Sequence, residues 1–209
     1  METKNNRSIK EYRSIIELVL IISIVINLYQ FHNFRSIKAD EHKQNVTIIQ
    51  RTVTDSERLY RIINNKILDS VDSKEVQITF DSTRVKDWNA IVSWSRESTN
   101  RIEQFKYNRK NFSQKEYRSL QYIISSTGYI LNHINNEIST RNPAFTILPE
   151  EIETIETIAE IYQLISNGIT VTQQDVQFDH ELMKSLIEPF SRIDNSGWVE
   201  LMEEEFLTD

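Results

Sequence analysis

The sequence has no cysteine, and only three glycines and three prolines among 209 residues. The first absence excludes disulfides, thiolate metal sites and a cysteine nucleophile, so any fold must stand on packing. The second removes most turn-formers. Glycine and proline together make up about 12% of an average protein, so their scarcity disfavours hairpin-rich folds and favours long helices. Internal repeats and low-complexity tracts are also lacking. Only one long apolar run is present, so a two-span receptor arrangement is not expected.

That run is the most informative segment. Between Arg13 and Arg35, residues 14–34 carry a single Asp, Glu, Lys or Arg, namely Glu17. As a helix these 21 residues cover roughly 31 Å, the thickness of a hydrocarbon layer. A cleaved signal peptide would be shorter and followed by small residues, whereas Leu28, Tyr29, Gln30, Phe31, His32, Asn33 and Phe34 follow here. The segment reads as an uncleaved signal anchor. Lys4, Arg7, Lys10 and Arg13 precede it, against Arg35, Lys38 and Lys43 after it, so the positive-inside rule favours a cytoplasmic N-terminus. The expected organisation is a cytoplasmic tail (1–13), a transmembrane anchor (14–34) and an extracytoplasmic helical domain (35–209) at the cell membrane. Tyr29, Phe31 and Phe34 suit the interface at the far end of the span. Glu17 lies one turn inside the other end, where its carboxylate reaches headgroup water. Asn27 offers a weak hydrogen bond across a helix dimer.

The rest of the chain reads as all-α. No Gly or Pro interrupts residues 32–70, so the membrane helix is expected to continue as a stalk to about Leu68, roughly 50 Å long. Val46, Ile49, Val53, Ser56, Tyr60, Ile63 and Ile67 lie on one stripe of it. A second helix is expected from Ser82 or Thr83 to Asn108, with Trp88 inward and Trp94 about 240° away on another face. Ser113 and Glu116 have capping-box spacing and open a third, strongly periodic helix through Leu120, Ile124, Thr127, Leu131, Ile134 and Ile138. Leu148, Pro149, Glu150 and Glu151 open a fourth, ending at Gly168. Asp179 caps a last section with Pro189 and Gly197 inside it. The fold expected is an antiparallel bundle of about four helices beyond the anchor. Val76–Phe80 is taken as an ordered loop or a short strand, pairing with Ile169–Phe178 if it pairs at all.

Charge is divided along the chain. Residues 35–141 carry 18 Lys and Arg against 13 Asp and Glu, whereas residues 142–209 carry two against 15. The acidic half could dock on the basic half, present itself to a cationic partner, or be a solvated face.

No constellation carries specific chemistry. Arg101, Lys106, Arg109, Lys110, Lys115 and Arg118, interleaved with Phe105, Tyr107, Phe112 and Tyr117, form a basic turn suited to anionic headgroups or wall polymers. The same mix occurs on nucleic-acid binders, but the acidic total and the envelope location argue against that partner. The stripe Val46, Ile49, Val53, Tyr60, Ile63 and Ile67 could serve a parallel homodimer or pack inside its own bundle. His133 and Glu137 lack further metal ligands, and His180 beside Asp179 and Glu181 has the same weakness. Asn132, Asn135 and Asn136 read as a solvated face. No catalytic residue, metal or cofactor is assigned. The functional expectation is an interaction or structural module with a protein partner of unknown identity. A small-molecule-sensing bundle is the alternative, and an enzyme comes third.

Overall fold

The computed structural model describes residues 2–69, 77–105, 113–141, 144–172, 175–179, 181–194 and 197–207. The protein is all-α, with a long apolar helix at its N-terminus. Among the described residues there are six α-helices, α1 Glu2–Ile62, α2 Ser82–Glu103, α3 Gln114–Thr140, α4 Pro149–Gly168, α5 Leu182–Ser191 and α6 Gly197–Phe206. The uninterrupted first helix expected from the missing Gly and Pro is present, and a π-helical turn, Ile63–Leu68, closes it. Asp69 N–H donates to the Asn64 carbonyl at 2.8 Å, the five-residue step that defines such a turn.

The chain divides into two compact units, Met1–Lys43 and Gln44–Asp209. In the first, every side chain from residue 16 to residue 40 is exposed. No described side chain of this unit is buried.

The second unit holds the core. Its elements begin where the caps say they should. Asp81 Oδ1 accepts from Thr83 N at 3.0 Å and Arg84 N at 2.8 Å, opening α2. Ser113 Oγ accepts from Glu116 N at 3.1 Å while Glu116 Oε2 accepts from Ser113 N at 2.6 Å, the reciprocal box that starts α3. Glu151 Oε2 accepts from Leu148 N at 2.8 Å, and Pro149 occupies the first turn of α4. α2 packs along α3, while α4 packs on α5 and on the π turn. α4 lies deepest, burying Ile152, Ile155, Ile158, Ile161, Tyr162 and Ile165.

Several expectations are corrected. α2 ends at Glu103 rather than Asn108, because the Tyr117 hydroxyl lies within hydrogen-bond reach of the Ile102 and Phe105 carbonyls, at 3.1 and 3.3 Å, where the helix runs out of internal donors. Near the end of the α1 stripe Leu59 is fully buried, whereas Tyr60 is only half-buried. Of the segment Val76–Phe80, Val76 lies outside the described residues, and Ile78–Thr79 do not pair with the described part of Ile169–Phe178. Instead β1 (Ile78–Thr79) pairs antiparallel with β2 (Thr146–Ile147), Ile78 opposite Ile147 and Thr79 opposite Thr146. β3 (Ile169–Val171) and β4 (Val176–Phe178) form their own hairpin, with Ile169 opposite Phe178. Local closure wins there: Thr172 N donates to the Asp175 carbonyl at 2.8 Å, so the hairpin closes over a short loop at little entropic cost. Phe145 adopts φ 56°, the left-handed region that non-glycine residues seldom enter. In return its N–H reaches the Ile138 carbonyl at 2.6 Å, and its carbonyl accepts from Phe80 N at 3.0 Å.

Candidate functional site

Two features stand out from a packed helical protein: the apolar face of the first unit, and a groove in the second.

Between Ile16 and Phe34, thirteen large apolar side chains are 49–67% exposed. An 18-residue window here has mean hydropathy 1.4 and no buried residue. By length and composition this helix is a candidate membrane span. At its far end the Arg35 guanidinium lies 4.5 Å from the Phe31 ring centroid and the Lys38 ammonium 5.8 Å from that of Phe34. Each cation sits one turn beyond its ring, so aromatic and charge share a helix face, as suits a lipid–water boundary.

The groove, of about 700 Å³, follows the crease between α2 and α3 and is also lined by residues after α5. The two helices approach closely because Gly128 has no side chain: a Cβ there would stand 2.6 Å from Thr99 Oγ1 and 3.1 Å from Ser95 Oγ. Arg96, Thr99 and Glu103 line it from α2; Tyr122, Ser125, Ser126, Tyr129 and Asn132 from α3; Ile193 and Asp194 from beyond α5. Tyr129 is 74% exposed, an unusual placement for a large ring. Tyr122 is held edge-on by Phe190, with ring centroids 5.8 Å apart. Arg96 Nη2 donates to Asn132 Oδ1 at 2.8 Å.

Beneath the groove lies a buried polar cluster. The Tyr162 hydroxyl, fully enclosed, is 3.2 Å from both Ser95 Oγ and Thr127 Oγ1. Burial pushes its phenol up from the ordinary range, and the two hydroxyl contacts offset only part of this. Tyr117 is pushed up by burial and then by the charge of Glu103. The Arg101 guanidinium bridges the buried Asp55 on α1 and Glu97 on its own helix. Ser56 and Ser98, both fully buried, have hydroxyls with no hydrogen-bond partner among the described residues.

The residues singled out from sequence distribute as follows. Val46, Ile49, Ile63 and Ile67 are buried in the core, and Val53 and Tyr60 pack against it, so the second unit's own helices cover that stripe. Of the basic turn, Lys106, Arg109 and Lys110 lie outside the described residues. Arg101 is turned inward to Asp55, while Lys115 and Arg118 are exposed. His133 and Glu137 form an exposed pair 3.4 Å apart, and His180 lies outside the described residues. Trp94, on another face of α2 from Trp88, is half-buried and packs against the core. The asparagines are not merely a solvated face, since Asn135 Oδ1 accepts from Trp88 Nε1 at 2.9 Å and Asn132 holds Arg96. In the acidic half, Glu151 meets Arg141 from the basic half, and Glu160 meets Arg192 from its own. Sequence reasoning missed the groove. Its signals were a glycine in mid-helix at Gly128 and a carboxylate at the end of α2, Glu103.

No protein-family model matches the chain, and neither a curated protein nor a solved structure is detectably similar to it.

Proposed function

We propose that the protein is a single-pass, membrane-anchored helical domain that acts as an interaction or structural module at the cell envelope, with its N-terminus in the cytoplasm. The supporting observation is the exposed apolar face between Ile16 and Phe34. Removing one large aliphatic side chain from water is worth about 1.5–3 kcal/mol, so a helix presenting ten such groups favours lipid over water decisively. The lysine and arginine balance around the segment supports the orientation. The domain after the span then works outside the cell membrane.

The test is fractionation. The tagged chain should sediment with membranes, resist alkaline carbonate and dissolve in detergent. Recovery in the high-speed supernatant without detergent removes the proposal. In intact cells protease should reach the C-terminal domain; protection until lysis reverses the orientation. A second reading, recognition of a small molecule by the helical domain, is favoured by the groove between α2 and α3.

A further inference from the structure

We infer that the α2–α3 groove is a binding site for a short peptide with free charged ends, its amino terminus held near Glu103 and its carboxylate near Arg96. This rests on the small-molecule reading of the groove and not on membrane anchoring. Charge is sorted along the crease. Arg96 stands at one end, its guanidinium oriented by Asn132. Glu103 is the last residue of α2, and Asp194 follows the end of α5 at Ser191. Helix C-termini carry partial negative charge, so both carboxylates occupy positions where the backbone opposes them. An ammonium group bound beside Glu103 is attracted by its carboxylate and by the end of α2 together. Arg supplies the complementary fork for a carboxylate.

Spacing sets the length. Arg96 and Glu103 are seven residues apart on one helix, about 10 Å at the α-helical rise. Three extended residues span about the same distance, so a tripeptide can satisfy both ends. Between the ends, Thr99, Ser125 and Ser126 offer hydroxyls, and the rings of Tyr122 and Tyr129 offer apolar walls. A site of this kind, with a few placed polar groups and aromatic sides, recognises termini more than sequence.

The experiment is calorimetric titration of the full chain in lipid nanodiscs with trialanine, N-acetyl-trialanine, trialanine amide and, as an uncharged control, an N-acetylglucosamine trimer. Trialanine should bind saturably, and blocking either end should weaken it about tenfold, as loss of a charge-assisted contact does. Glu103→Gln should weaken trialanine and erase its advantage over the acetylated form. Arg96→Gln should erase its advantage over the amide. Both positions are exposed, so both variants keep the fold. Absence of binding by all probes overturns the peptide assignment and the small-molecule reading together. Binding of the sugar, or equal binding of blocked and free peptides, overturns the peptide assignment alone.

Discussion

Arg141 grips Glu151 with both arms of its guanidinium, Nη1 to Oε2 at 2.5 Å and Nη2 to Oε1 at 2.6 Å, across the turn between α3 and α4. The pair is more than a surface contact. Glu151 is buried, Arg141 Nη1 also donates to the Thr146 carbonyl at 2.8 Å, and Glu151 caps the Leu148 amide. The bonded carboxylate raises the guanidinium's pKa further, which keeps it charged at any accessible pH. Removing one partner leaves a half-buried charge unmatched, so Arg141→Ala and Glu151→Ala should each cost about 2–4 kcal/mol. Urea unfolding of the two single variants and the double variant should give a coupling energy of about 1–3 kcal/mol. Simple additivity would show that the two side chains act independently.

Tyr162 predicts behaviour at high pH. Its buried phenol ionises above the ordinary value of 10.0 in the folded protein. Below pH 10 both folded and unfolded tyrosine are protonated, so its contribution is fully present. Above that the unfolded chain loses its proton first, and stability falls as pH climbs toward the folded value. Tyr162→Phe should cost about 1–2 kcal/mol at neutral pH through the hydroxyl contacts and should flatten the alkaline decline. A steeper decline in the variant is the contrary result.

Gly128 holds α2 and α3 together. Alanine there gains about 1 kcal/mol in helix propensity, but its Cβ collides with Thr99 Oγ1, and overpacking costs about 1–3 kcal/mol. Net destabilisation is expected in thermal melts. Thr99→Ala in the same chain should recover most of it, because the nearest obstructing atom is then gone. If the double variant melts as low as Gly128→Ala, the close approach is not the cause.

The α2 cap predicts behaviour in acid. The Arg84 amide, with that of Thr83, holds the Asp81 carboxyl below its ordinary 3.8. Its contribution is present above that value and is lost as pH falls through the folded one. Asn at this position caps without titrating. Asp81→Asn should therefore lose less stability than the parent between pH 5 and 2, by far-UV circular dichroism. At α3, Ser113→Ala should cost about 1 kcal/mol at neutral pH by urea unfolding.

Local signals were legible in the residues, and long-range ones were not. Ser113 with Glu116, and Pro149 with Glu151, mark helix starts because capping chemistry lies within four residues. The scarcity of Gly and Pro announces the helical class. Periodicity places most of the α1 stripe but not its width: Leu59, three residues after Ser56 and four before Ile63, is buried beside them, while Tyr60, about 100° further round, is only half-buried. The partner of Ile78 is Ile147, and nothing in either segment names the other. The groove needs α2, α3 and the residues beyond α5 at once, a convergence that only tertiary packing creates.

The π turn at Ile63–Leu68 makes one stretch of the first helix tolerant of a change in length. Excising a residue upstream, such as the exposed Thr54, would rotate everything after it by about 100° and aim Ile63 and Ile67 at water. Excising the exposed Lys66 lets the wide turn relax into an ordinary α turn and absorbs the shift on the spot. The slack in the packed part of this helix is thus stored in six residues.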